Sequence, residues 1–155
     1  MKTCCIFGHR VFDKTKDIEI KVTKTIIDLI ENENVTQFLF GSKSDFVDFC
    51  YSVVSGLKEK YSFLRRVYVR AEYPIVNANY CKYLKNLYED TYFYNNKSIT
   101  YKNDYIKRNQ TMIEKSDICM FYFNKNYIPK TKTRSGTGIA YNYAVKKGKK
   151  IVNVF

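Results

Sequence analysis

Apolar positions recur with two periods along this chain, and the switches between them lay out its secondary structure. Thr3 to Phe7 is a short apolar run stopped by Gly8, which predicts a first strand. From about Lys16 to Glu33, the residues Ile18, Val22, Ile26, Leu29 and Ile30 keep the spacing of one helix face. Val35 to Phe40, closed by Gly41, predicts a second strand. Asp45 to about Lys60 predicts a helix with Phe46, Phe49, Cys50, Val53 and Leu57 as its buried stripe and Ser42 or Ser44 at its start. Arg66 to Ala71 predicts a third strand, and Pro74 closes that segment. The Tyr- and Asn-rich stretch from Val76 to about Tyr101 predicts one helix around Cys81 to Tyr88 and then a loop. Asp104 to Lys115 predicts a helix, and Ile118 to Phe123, apolar on both faces, a central parallel strand. A polar loop from Asn124 to Arg134, containing Pro129, leads to a helix over Thr137 to Lys147, stopped near Gly148. Ile151 to Phe155 predicts a last strand.

Strands alternating with helices predict an α/β fold, a three-layer Rossmann-like parallel sheet of about five strands with helices on both faces. The 155 residues carry no repeat, linker or low-complexity tract, so one domain is expected over 1–155. In such sheets ligands bind beyond the carboxyl ends of the strands, where the strand order reverses. The turns after the first strand, the second strand and the strand ending at Phe123 are therefore the places to seek chemistry.

Composition narrows the classes. Hydrophobic residues make up 45% of the chain and charged residues 27%, a globular balance. The formal net charge of +12 draws polyanions and suits nucleic acid, phosphates or an acidic partner without choosing among them. The cations come in short clusters rather than one basic tail, as on a solvated surface. The five cysteines are odd in number and form no CxxC pair, which points to free thiols and a reducing, cytoplasmic compartment. Cys4, Cys5 and His9 make a poor metal site, because neighbours on a strand point to opposite faces; no metal is expected. The N-terminal apolar stretch is too short for a signal peptide, and no apolar run approaches the roughly 20 residues that span a bilayer, so no membrane association is expected.

Three turns and one helix carry the candidate binding residues. Gly8-His9-Arg10 combines a glycine, the single histidine and an arginine able to clamp phosphate, or is a surface turn with an incidental basic pair. Gly41-Ser42-Lys43-Ser44-Asp45 forms an anion nest ahead of a helix, with Asp45 either touching ribose or complementing the helix dipole. Ser135-Gly136-Thr137-Gly138 opens a helix directly, so its amides suit phosphate, while Ser135 also suits an N-cap. It lacks both the GK[ST] ending of a Walker loop and the full GxGxxG spacing. Arg108 and Asn109 reach the site if their helix starts at the ligand edge. For acid–base catalysis only His9 and the carboxylates Asp45, Glu72 and Asp117 stand out, so the catalytic residues remain unknown and enzymatic activity stays open.

The segments Cys4-Cys5-Ile6-Phe7-Gly8-His9-Arg10, Phe40-Gly41-Ser42-Lys43-Ser44, Lys107-Arg108-Asn109-Gln110-Thr111-Met112-Ile113 with Ser116-Asp117, and Ser135-Gly136-Thr137-Gly138-Ile139-Ala140 together resemble the SLOG superfamily, the Rossmann-like domains that include DprA and the LOG enzymes. Within it the chain is most similar to small bacterial YpsA-like proteins of unknown function. The resemblance implies a central first strand and a nucleotide or nucleotide-derivative ligand held by Gly8, His9, Arg10, Gly41, Ser42, Arg108, Asn109, Ser135, Gly136 and Thr137. It also implies self-association, as relatives commonly dimerise. LOG-type phosphoribohydrolases carry PGGxGTxxE, and here Ala140 falls where the glutamate would be, which argues against that reaction. The leading expectation is thus binding or sensing of an ADP-ribose-like, phosphate-bearing ligand. A nucleotide-processing hydrolase and a DprA-like nucleic-acid binder are the alternatives.

Overall fold

The computed structural model describes residues 1–71, 78–94, 104–128 and 135–155. Glu72, Pro74, Pro129 and the basic cluster Lys130–Arg134 lie outside the described residues. Six parallel strands form one sheet: β1 (Lys2–Gly8), β2 (Val35–Phe40), β3 (Arg65–Arg70), β4 (Asp90–Phe93), β5 (Ile118–Tyr122) and β6 (Lys150–Asn153). Their order is β4-β3-β2-β1-β5-β6. Five helices alternate with them: α1 (Lys16–Glu31), α2 (Asp45–Leu57), α3 (Ala78–Leu87), α4 (Asp104–Glu114) and α5 (Gly136–Lys146). This is a Rossmann-like three-layer fold.

The sequence pattern missed one strand. β4 lies in the Tyr- and Asn-rich stretch read as loop, so the sheet has six strands rather than about five. Its sequence, Asp90-Thr91-Tyr92-Phe93, shows neither alternation nor an apolar run, and of its residues only Thr91 is buried. The strand exists because it pairs with β3, Val67 opposite Asp90 through Arg70 opposite Phe93. The stripe of α2 is also rotated from the expected one: Phe46, Val47, Cys50 and Val54 are buried, whereas Phe49, Val53 and Leu57 are half-buried at its flank. That helix packs on both β1 and α1, and the two neighbours turn its deepest line toward Val47 and Val54.

The side chains of β1 alternate between two cores. Cys4 and Ile6 enter a core with residues of α1, α2 and α3, including Val22, Ile26, Phe46, Cys50 and Leu84. Cys5 and Phe7 enter the core under α4 and α5, with Met112, Ile113, Ala140 and Ala144. The two adjacent thiols therefore face opposite sides of the sheet, as strand geometry requires. All five cysteines are free, and all but Cys81 are buried. Gly148 takes a left-handed backbone (φ 65°) just past α5 and ends it as the sequence pattern predicts. No helix among the described residues is long and apolar enough to cross a membrane.

From β1 the chain winds outward through β2 and β3 to β4, then returns through α4 to place β5 on the other side of β1. The strand order reverses between β1 and β5, and the turns beyond these two strands meet there at the carboxyl edge. The opposite, amino edge is tied by charge. Glu89, just before β4, accepts from the Arg66 side chain at 2.9 and 3.1 Å and from the Arg66 amide at 2.6 Å. Lys58 lies 3.0 Å from the same carboxylate. Partial burial alone would raise the pKa of Glu89, but the hydrogen bonds from Arg66 and Lys58 outweigh it and hold the pKa at about 2.

Candidate functional site

At the end of β1, His9 is only 3% exposed although the turn reaches the carboxyl edge. Its ring stacks on Tyr127 with centroids 4.0 Å apart, and Phe123 stands 5.9 Å away. The backbone N–H of Asn124, just past β5, donates to Nε2 at 2.9 Å. That bond uses the Nε2 lone pair, so the neutral ring carries its proton on Nδ1. Among the described residues no partner meets Nδ1, and the atom is buried. Burial pushes the imidazole pKa below its ordinary value, which keeps the ring neutral at pH 7. His9 is therefore a fixed hydrogen-bond donor with an unused N–H rather than a free base.

Around this histidine the other predicted turns close in. The amide of Asp45, at the start of α2, donates to the Arg10 carbonyl at 2.9 Å, which joins the turn after β1 to the helix after β2. The Arg10 side chain is exposed. Ser44 is the N-cap of α2, its hydroxyl accepting from the Val47 amide at 3.1 Å. Asp45 and Asp48 remain exposed in the first turn of α2; slight burial, and then the charge of Asp45, raise the pKa of Asp48. On the far side of the sheet α4 starts at the same edge. The Arg108 guanidinium, 3% exposed, donates to the Gly41 carbonyl and, through Nε, to Asn109 Oδ1 at 3.1 Å. It also lies against the Tyr105 ring at 5.3 Å. Arg108 thus clamps the turn after β2 onto α4 and draws Asn109 into the same contact.

The helix-opening loop after β5 divides its amides between itself and the open edge. Ser135 caps α5, its hydroxyl accepting from the Gly138 amide at 3.2 Å, and the Ile139 amide bonds the Ser135 carbonyl. Gly138 stands on the Phe123 ring, where a Cβ would come within 3.3 Å, so α5 reaches His9 through one aromatic layer. Gly136 faces open space. Among these amides the loop has already spent that of Gly138; those of Gly136 and Thr137 precede the first intrahelical bond.

No protein-family model matches this chain, and no curated protein matches it. Gly8, His9, Arg10, Gly41, Ser42, Asp45, Arg108, Asn109, Ser135, Gly136, Thr137 and Gly138 lie in turns and helices at one edge; hydrogen bonds join the turns after β1 and β2 to α2 and α4, and Phe123 packs the start of α5 beside His9. Two of the glycines answer first to packing. A Cβ on Gly8 would sit 2.3 Å from the Phe46 ring, and one on Gly41 would sit 2.8 Å from Met112 Sδ and 3.0 Å from the Val69 carbonyl. Asp117 is remote: it accepts from the Thr3 amide at 2.9 Å at the amino edge. Three residues of the edge escape sequence reasoning. Tyr127 and Asn124 sit in a loop whose composition says only that it is polar. Arg70 ends a strand with no motif at all, and becomes noticeable only once its neighbours are known.

Proposed function

We propose that this protein binds a phosphate-bearing nucleotide derivative at the carboxyl edge of its sheet, where β1 and β5 part. The observation that carries this reading is the buried His9 Nδ1–H, without an acceptor among the described residues, one aromatic layer from the N-terminus of α5. A buried donor without a partner costs about 1–3 kcal/mol, and a ligand oxygen removes that cost. The positive end of α5, the amides of Gly136 and Thr137 and the exposed Arg10 supply the charge for a phosphate. The Tyr127 ring, stacked on His9 by one face, offers its other face for a base. The motif resemblance to SLOG domains supports the same ligand class, and the free, mostly buried cysteines suit a reducing cytoplasmic setting.

Binding is the reading to test before catalysis. His9 has its Nε2 lone pair engaged and its proton on the other nitrogen, so it lacks the vacant lone pair a general base uses. Isothermal titration with AMP and ADP-ribose, alongside mass spectrometry of co-purifying small molecules, tests the proposal. Arg10→Ala and Gly136→Val are each expected to weaken binding by about tenfold or more. Full affinity in both variants would remove the assigned site. Turnover of a nucleotide panel without loss of the His9 contact would favour the hydrolase instead.

A further inference from the structure

A second set of unsatisfied polar atoms lies farther along the same edge. Strand register fixes its place. Gly8 pairs with Tyr122 across β1 and β5, and Arg70 pairs with Phe93 across β3 and β4. Continuing the registers of Cys5 with Leu39 and of Phe40 with Tyr68 sets Ser42 level with both Gly8 and Arg70. Ser42 thus lies just beyond the end of β2, at the level of Gly8 and Arg70. Arg70 follows Tyr68 by two residues within β3, so it emerges on the face that carries α2 and α3, while Ser42 lies two residues past the end of β2, just before the Ser44 cap of α2. The Ser42 hydroxyl is buried and has no partner among the described residues, and neither has Arg70 Nε. The contact that the Arg70 guanidinium does make is with the Cys81 sulfur at 3.6 Å, a weak acceptor. No carboxylate among the described residues pairs with Arg70.

We infer that Ser42 and Arg70 form a second subsite, which takes an anionic group at the far end of the ligand. This rests on the proposed function, whose first phosphate sits beside His9 and α5. A half-buried guanidinium left with a thiol is an unfinished arrangement; arginine forks match phosphate and carboxylate oxygens, and the Ser42 O–H adds a third donor. The start of α2 lies between the two subsites, bonded to Arg10 on one side and entered through Ser42 on the other, so its positive end faces the stretch a ligand must cross. Two strand spacings separate the row position of Gly8 from that of Arg70, about 10 Å. A mononucleotide has one anionic group and satisfies one subsite. A nucleotide with a second charged group about 10 Å from the first satisfies both. The ligand class is thereby narrowed to extended derivatives, such as a nucleoside diphosphate joined to a second sugar phosphate or nucleotide.

The test compares AMP with NADP⁺, whose 2′-phosphate adds a charged group remote from its diphosphate, by titration calorimetry on the full chain. The unmodified protein is expected to bind NADP⁺ at least about tenfold tighter than AMP. Arg70→Gln should shrink that ratio to within about threefold, and Ser42→Ala should shrink it partway. Circular dichroism melts check that both variants fold; if Arg70→Gln does not, Arg70→Lys, which keeps the charge and loses the fork, takes its place with the same expectation. If both ligands bind and the ratio is near one, or survives all variants, the second subsite is wrong and the first stands. If neither ligand binds the unmodified protein, the proposed function fails and this subsite fails with it.

Discussion

At the scale of single residues, the candidate glycines do different jobs, and stability measurements separate them. Gly8 has no room for a methyl group: a Cβ would fall 2.3 Å from Phe46 Cδ1 and 2.7 Å from Phe46 Cβ, and Phe46 is fully buried. The ring's far end could swing aside, but its Cβ is tied to the backbone of α2. Gly8→Ala is therefore expected to destabilise the fold by about 1–3 kcal/mol or more, measured by urea unfolding. Combining it with Phe46→Ala should cost less than the two single changes added together, because the overlap disappears. Strict additivity would remove the steric account. Gly136 meets nothing within 4 Å of its would-be Cβ, so Gly136→Ala should leave the fold's stability within about 0.5 kcal/mol. In the sequence these glycines are indistinguishable, because a glycine after a strand looks the same whether a ligand or a neighbouring ring needs the space. His9 was legible as the single histidine in a strand-end turn. Its tautomer was not, because Asn124 lies 115 positions away along the chain.

At the scale of elements, the legible ones were those whose own residues carry the pattern. β5 is buried along its whole length, and α1 keeps Val22, Ile26, Leu29 and Ile30 on one buried line as its spacing foretold. β4 was illegible because its order comes from its partners. It has β3 on one side, and the residue before it, Glu89, is fixed by Arg66 and Lys58. This makes the Glu89 carboxylate a sensitive point for the β3–β4 edge. Its folded pKa of about 2 lies below the ordinary unfolded value of about 4.3, so its contribution is complete above the latter. The contribution falls as pH drops from there toward 2. With its side chain 25% exposed, screening limits the effect, and Glu89→Gln is expected to cost about 1–2 kcal/mol at pH 7. Calorimetry should show a melting point lower by roughly 3–6 °C at pH 7 and a much smaller gap at pH 2.5. An equal gap at both values would show that charge is not what Glu89 contributes.

At the scale of the whole molecule, the net charge of +12 is unevenly compensated, and that unevenness bears on the choice between a small ligand and nucleic acid. Among the described residues seven of the eight ion pairs, those of Lys2, Lys58, Lys60, Arg65, Arg66, Lys147 and Lys150, lie at the amino edge. Only Lys14 with Glu19 lies at the carboxyl edge. There Arg10, Lys43, Arg70, Lys107 and Lys125 stand without a carboxylate partner among the described residues. These five described cations are enough to steer and hold a small polyanion. A single strand that engaged all five would give a slope of log affinity against log salt of about −3.5. An extended nucleotide with three charges should give a shallower dependence, about −2 or less in magnitude. Anisotropy titrations of a fluorescent oligothymidine and calorimetric titrations of NADP⁺, both run from 50 to 500 mM salt, measure the two slopes. The expected result is an oligonucleotide slope no steeper than about −3.5, with NADP⁺ displacing the oligonucleotide because both use the same edge. An oligonucleotide slope beyond about −5, undisturbed by NADP⁺, would require a longer cationic surface elsewhere. It would make nucleic acid the partner, with the carboxyl edge as a separate site.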